Sequence, residues 1–382
     1  MSSISLPFLS VIVPAHQGEQ VLPLALEALQ RSDLPRECWE LIVVDDASTD
    51  ATSILAARYA DTVIRLAGTP HGPAYARNRG FEASRGEVLV FIDADVAVHP
   101  DTLRRFATLF VREPALGAAF GSYDHRPSGQ GLVSQYRNLL HHYVHQQSVG
   151  EAETFWAGCG AIRRDVFTEV GMFDEWHYPR PQIEDIELGR RIRQHGYRVL
   201  LRPEIQATHL KLWTFRQVVV TDFTSRGVPW MRLILQEGAS AASGALNLQT
   251  REKLCTALAG PTLAALLAAV VLRALWPLAV AATAIAIIVL FNRRFYDFLR
   301  RQRGLWFAIR AVPLHLLYYV VNGFSAIFGW MLHHLFGAPR PAPDVTARSA
   351  SGIKTWPPTP TRPASSLWNA PAGKSARRAP PA

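Results

Sequence analysis

Two carboxylates one residue apart, Asp93 and Asp95, follow directly on the apolar run Val88-Leu-Val-Phe-Ile92. In an extended chain positions i and i+2 point the same way, so both side chains converge on one ligand. That pairing suits a hard divalent cation whose other ligands are waters and phosphate oxygens. A simple turn after a strand uses the same residue types. A second acidic group, Glu184-Asp185, lies in Ile183-Glu-Asp-Ile-Glu187, which runs on through Arg190-Arg-Ile-Arg193 to Gly196. Acidic residues are favoured in a helix first turn by the macrodipole, which also keeps a carboxylate ionised at neutral pH. One ionised carboxylate in a cleft is enough for general-base chemistry. Glu184, its neighbour, faces another direction on a helix.

The elements that must hold these groups read as alternating strands and helices. Leu9–Val13, Glu40–Val44, Thr62–Leu66 and Val88–Ile92 are apolar strand-length runs. Between them, helical periodicity spans Glu19 to about Arg31 and Gly72 to Ser84, and Ser48 or Asp50 is placed to cap a helix reaching about Ala60. The alternation predicts an α/β fold, a parallel sheet with helices on both faces. Such open sheets bind ligands beyond the carboxyl ends of their strands, where Asp93 and Asp95 fall. Further on, a helix over Pro100–Pro114, a strand over Gly117–Gly121, a loop over 122–131 and a helix over Gln135–Gln147 are expected.

The chain has 382 residues, 49% hydrophobic and 19% charged, with net charge +9. The apolar excess collects after Thr256. Ala257–Leu272 and Ala274–Phe291 are nearly uncharged runs near the lower end of the roughly 17–25 residues a membrane span needs, and a hairpin turning between Arg273 and Pro277 is expected. Arg293, Arg294, Arg300, Arg301 and Arg303 follow, then a third apolar stretch, Leu305–Phe336, for which Pro313 and the glycines suggest a bent or re-entrant path. Beside apolar spans, a basic balance fits an anionic cytoplasmic membrane surface better than nucleic acid. Cys38, Cys159 and Cys255 have neither metal nor redox spacing, which points to a reducing compartment. The N-terminus reads as a first strand rather than a signal peptide.

Four motifs occur in order: Ser10-Val-Ile-Val-Pro14, Val43-Val-Asp-Asp-Ala-Ser-Thr-Asp50, Gly72-Pro-Ala-Tyr-Ala-Arg-Asn-Arg-Gly80 and Phe91-Ile-Asp-Ala-Asp95. Together they resemble the nucleotide-binding half of the family 2 glycosyltransferases, which have the GT-A fold, a Rossmann-like and mostly parallel sheet. The resemblance implies that Pro14 and Ala15 line a base pocket, Asp46 contacts the base and Arg77 lies near the nucleotide. It implies that Asp93 faces the ribose or metal, and that Asp95 holds a divalent cation, Mn2+ or Mg2+, on the diphosphate. It places a further metal ligand at His209 and the catalytic base at Asp185, and it implies inversion at the transferred sugar. Phe155-Trp-Ala-Gly-Cys-Gly-Ala161 matches the acceptor-side segment, with Trp156 either an aromatic platform or a core residue. Processive relatives add a Q-x-x-R-W signature where this chain has Arg190–His195 without Trp, which argues for transfer of a single sugar. His141, His142 and His145 lack a partnering carboxylate and read as a solvated helix or an acceptor-site wall rather than a metal centre.

The expectation is a membrane-attached inverting glycosyltransferase with its catalytic domain on the cytoplasmic side. It would use a nucleotide-sugar donor and a lipid-linked or glycan acceptor, a polyprenyl phosphate being the alternative, with no nucleic-acid partner. A pyrophosphorylase-like enzyme would need a Lys that the Pro14–Gly18 loop lacks. A non-catalytic nucleotide-binding membrane protein has no use for both Asp95 and Asp185. The expected division is a GT-A domain over 1–212, interfacial amphipathic helices over 213–255, membrane helices over 256–336 and a disordered Pro/Ala-rich tail over 337–382.

Overall fold

The computed structural model describes residues 6–237 and 250–339. Most of the expected tail, residues 340–382, and part of the expected interfacial segment, residues 238–249, lie outside the described residues. The chain opens β1 (Leu9–Ala15), α1 (Leu22–Gln30), β2 (Trp39–Asp46), α2 (Thr52–Ala56), β3 (Thr62–Leu66), α3 (Pro73–Glu82), β4 (Val88–Ile92). It continues β5 (Val96–Val98), α4 (Thr102–Arg112), β6 (Leu116–Tyr123), α5 (Leu132–Gln146), β7 (Gly150–Glu151), β8 (Cys159–Arg163), α6 (Arg164–Glu169), α7 (Glu184–Gln194) and β9 (Arg198–His209).

The strands form one nine-stranded sheet in the order β3-β2-β1-β4-β8-β6-β9-β5, with β7 on β9. β3, β2, β1 and β4 are mutually parallel, as the alternation predicts. β8 then runs antiparallel between β4 and β6, so the sheet is mixed in its second half. Period-two burial explains the layers. Val11, Val13, Val90 and Ile92 point to one face, beneath Leu26 of α1 and Phe106 of α4. Ile12, Leu89 and Phe91 point to the other, beneath Phe167 of α6 and Leu188 of α7. Each such side chain, fully buried, contributes roughly 1.5–3 kcal/mol. α2 is shorter than expected. Asp50 accepts from the Thr52 backbone N–H at 3.0 Å, while the Ser48 hydroxyl is taken by the Gln17 N–H at 2.9 Å.

After β9 come α8 (Phe215–Val220), a π-helical stretch Thr221–Gly227, α9 (Val228–Glu237), α10 (Thr250–Leu272), α11 (Trp276–Phe291), α12 (Arg293–Arg303) and α13 (Leu305–Phe336). α10 and α13 are long and apolar enough to cross a membrane, and α11 meets the basic α12 at a 72° bend. The hairpin turns at Arg273, whose φ is 50°. α13 is one uninterrupted 32-residue helix through Pro313, not the bent or re-entrant path expected. Proline removes a single helix hydrogen bond, and here the surrounding turns are held by packing. Ala308 and Ala311 of α13 share a core with Phe295 and Leu299 of α12 and with Tyr136, Leu139 and Tyr143 of α5. The helical region is thus fastened to the sheet-bearing half by α5 and α12. Arg303 adds hydrogen bonds to Gln135 Oε1 at 2.6 Å and to the His125 carbonyl at 2.9 Å.

Candidate active site

Strand order reverses where β1 sits between β2 and β4, the place where an open α/β sheet leaves a crevice at its carboxyl edge. A cavity of about 1240 Å³ opens there. Pro14 and Ala15 from the end of β1, Asp46 from the end of β2, Arg77 from α3, Asp93 and Asp95 after β4, Asp185 from α7 and His209 from the end of β9 all line it. Residues scattered over some 195 positions of sequence therefore meet on one wall system.

Arg77 organises one side. Its guanidinium is buried and donates to Asp93 Oδ1 at 2.8 Å and to Glu184 Oε1 at 3.0 Å. Burial works against its charge, but Asp93 and Glu184 outweigh that and keep it cationic. Glu184 also accepts from the Gln182 N–H at 2.9 Å. Asp185, turned another way on the same helix, lines the cavity without bonding to Arg77. Its Oδ2 accepts from the Ala157 N–H at 3.2 Å. The helix terminus does not hold it at an ordinary carboxylate value, contrary to the expectation above. Burial, then the neighbouring Glu184 charge, push it up to about 7. α7 is seated tightly. A Cβ on Gly189 would stand 2.0 Å from the Phe155 backbone nitrogen, so only glycine lets the helix approach the segment carrying Ala157.

Replacing Arg77 by Met leaves Glu184, 5% exposed, as a buried charge without its partner. We expect a loss of about 3–5 kcal/mol of stability, the cost of breaking a buried ion pair from one side, measured by urea unfolding. The double variant Arg77→Met, Glu184→Gln is expected to regain part of it. A single variant as stable as the parent would remove Arg77 from this structural role.

The opposite wall is built around His209. Asn138 donates its Nδ2 to the Ser134 carbonyl at 3.0 Å, which fixes its amide and presents Oδ1 to His209 Nδ1. Nδ1 therefore carries the hydrogen, and in the neutral ring Nε2 is a bare lone pair. It faces Asp95 Oδ2 at 3.6 Å. Two acceptors held face to face at that distance fit a shared cation, since ligands near 2.1 Å from one ion lie at most about 4.2 Å apart. Tyr123 stacks on the imidazole with centroids 4.2 Å apart and prevents it from turning. Among the described residues no three His, Cys, Asp or Glu side chains form a ready metal cage. The donor set is one carboxylate and one imidazole, with Asp93 engaged by Arg77, and it leaves coordination positions for a ligand.

Asp46 accepts from the His71 N–H at 2.9 Å and the Gly72 N–H at 2.7 Å, so it clamps the loop leading into α3. Gly72 has φ of 92°, and a Cβ there would meet the Pro179 carbonyl at 2.5 Å. The three histidines are not a solvated face. His142 and His145 are buried, their Nδ1 atoms on the Tyr123 and Gly121 carbonyls. Burial pushes His145 down to about 3, so it is neutral. His141 and His145 surround Trp156, and all three line the cavity. Sequence reasoning missed Glu184, Asn138 and Tyr123 as site-building residues. A polar residue at helix spacing from a histidine carries no mark of its partner, because His209 is 71 positions from Asn138.

The sequence model of the family described as Glycosyl transferase family 2 matches residues 10–171. Glycosyltransferase AglE of Haloferax volcanii is 25% identical over 212 residues, 54% of this chain and 67% of that protein. Probable glycosyltransferase YdaM of Bacillus subtilis is 25% identical over 211 residues, 52% of this chain and 49% of its own length. The chain thus spans about two thirds of the first relative's length and about half of the second's. Mannosyltransferase PcManGT from Pyrobaculum calidifontis, solved in complex with GDP-Man and Mn2+, superposes with a TM-score of 0.54 at 20% identity. That alignment covers 84% of this chain and 88% of the other, and shows a shared GT-A fold.

Proposed function

From the premise that residues 10–171 form a glycosyl transferase family 2 domain, we propose a membrane-attached enzyme that moves one sugar, with inversion, from a nucleoside-diphosphate sugar to a lipid-linked or glycan acceptor. The observation that carries this reading is that one cavity is lined both by an Asp95–His209 pair and by the raised carboxyl of Asp185. A divalent cation held by Asp95 and His209 supplies Lewis-acid stabilisation of the charge left on the departing diphosphate. The Mn2+ in the Pyrobaculum protein agrees with that choice of ion. Pro14, Ala15 and Arg77 bound the nucleotide end, and Asp46 shapes the loop beside it. Asp185, titrating near the working pH, takes the proton from the acceptor hydroxyl as it attacks. Trp156, with its collar of neutral histidines, offers a flat apolar face to a sugar ring. One carboxylate as base and a direct displacement give inversion.

Membrane attachment rests on α10 and α13 and on the arginines of α12. The positive-inside rule favours the cytoplasmic side for α12, and its packing on α5 supports the same side for the cavity-bearing half. The test is turnover. Purified full-length protein is incubated with a panel of UDP-, GDP- and dTDP-sugars, and nucleotide release is followed with Mn2+ and with chelator. Release from one donor, dependent on metal, is expected. Silence across the panel in the presence of acceptor lipids and glycans would end this reading.

A further inference from the structure

The same cavity continues away from the sheet into the helical region. We propose that its apolar arm between α10 and α13 seats the hydrocarbon chain of an amphiphilic acceptor, whose hydroxyl is thereby delivered to Asp185. This rests on the glycosyl-transfer reading and narrows its acceptor to a hydroxyl-bearing lipid.

Three observations carry it. The cavity that Asp95 and Asp185 line runs on past Thr256 and Gly260 to Leu267 of α10, and along Gly323 to Ile327 of α13. Its volume, about 1240 Å³, exceeds the roughly 300–1,000 Å³ of a site for one small ligand. At 1.5 Å per helical residue the stretch from Thr256 to Leu267 makes an arm about 16 Å long. Next, the walls leave the space open. A Cβ on Gly260 would meet nothing within 4 Å, and one on Gly323 only Thr256 at ordinary contact distance. Last, the arm emerges on an apolar outer surface. Leu267, Phe324 and Ile327 are 59%, 54% and 60% exposed, on the two helices apolar enough to cross a membrane.

An opening at that place faces hydrocarbon, so a chain can slide in sideways without crossing water. A glycan would leave its hydroxyls unpaired in such an arm, at a cost that argues against it. Where arm meets site, Ser225, Arg226 and Lys253 line the wall and suit a polar head. Asp185 lines the same cavity with its Oδ2 accepting the Ala157 N–H, so a hydroxyl delivered along the arm meets a carboxylate able to take its proton.

The test uses full-length protein in phosphatidylcholine nanodiscs doped with diazirine-bearing geranylgeraniol, or with its monophosphate. Crosslinks are expected on α10 between Thr256 and Leu267 and on α13 between Gly323 and Ile327. Gly260→Phe fills the arm. It is expected to remove those crosslinks and lower transfer to the lipid alcohol by about tenfold or more, with metal-dependent hydrolysis of the donor unchanged. Ala326→Phe, from the facing wall, gives the same result and guards against a folding defect in the first variant. Crosslinks confined to outward residues such as Val270 and Leu275 would mean contact with bulk lipid only and would overturn the proposal. So would undiminished transfer in both variants, which leaves the glycosyl-transfer reading standing. Transfer to the monophosphate but not the alcohol overturns the hydroxyl assignment. Absence of donor turnover in the unmodified protein removes both readings together.

Discussion

Replacing Asp185 by Asn is expected to lower sugar transfer by about 10²–10⁴-fold, the usual worth of a positioned base, with nucleotide affinity close to the parent's. The side chain accepts the Ala157 N–H at Oδ2 and the Ile186 N–H at Oδ1, and Asn, of the same shape, keeps an amide oxygen for the Ala157 N–H. Removing a charge that burial and Glu184 already disfavour does not cost stability at neutral pH, so a fold defect is not expected. The pH profile gives an independent check. A base works deprotonated, so kcat/KM of the parent rises with pH through about 7 and levels off above it. In Asp185→Asn that rising limb disappears. If the acidic first turn of α7 served the helix alone, the same change would cost about a kcal/mol or less and leave turnover nearly intact. A rate loss below tenfold with unchanged donor binding therefore counts against Asp185 as the base.

Asp95→Ala is the second large effect. It takes away the carboxylate that faces His209 Nε2 and leaves the imidazole held by Asn138 and Tyr123 as before. Metal-stimulated transfer is expected to fall by about 10²–10³-fold or more, the range for losing one group that stabilises developing charge. Mn2+ binding, read by isothermal titration in the presence of UDP or GDP, is expected to weaken with it. The unfolding midpoint is expected to stay near the parent's, because the Asp95 side chain is partly exposed, at 27%. Transfer by the parent that persists in excess chelator would sink the role of Asp95.

The first half of the sheet was legible because its signals are local. Val88–Ile92 is apolar throughout because β4 is covered on both faces, and the acidic residues after it mark the strand end. Most of the motif residues likewise stand at strand ends, with Arg77 in α3 and Asp185 in α7, and all eight singled out by type and order line the cavity. What stayed hidden depends on partners far along the chain. β8, Cys159-Gly-Ala-Ile-Arg163, is too short and too rich in small residues to read as a strand, and is one because β4 and β6 flank it. The motif marks Arg77 but not its partner Glu184, which closes on it from 107 positions later. Sequence left His142 and His145 between a solvated helix and an acceptor-site wall, because the β6 carbonyls that take their rings are invisible there. The continuity of α13 through Pro313 was hidden for the same reason, since α5 and α12 supply the support.

The clasp between α5 and α12 has a geometric consequence on the membrane reading. Phe295, Tyr296 and Leu299 lock the arginine-bearing helix to the helix that carries His141 and His145. Among the described residues the two share one packed core, so on the proposed membrane reading the cleft would ride at one fixed altitude above the bilayer plane. The enzyme then acts as a depth gauge. A hydroxyl projecting to that level is within reach of Asp185, and one buried deeper or displayed farther out is passed over, whatever its chemistry.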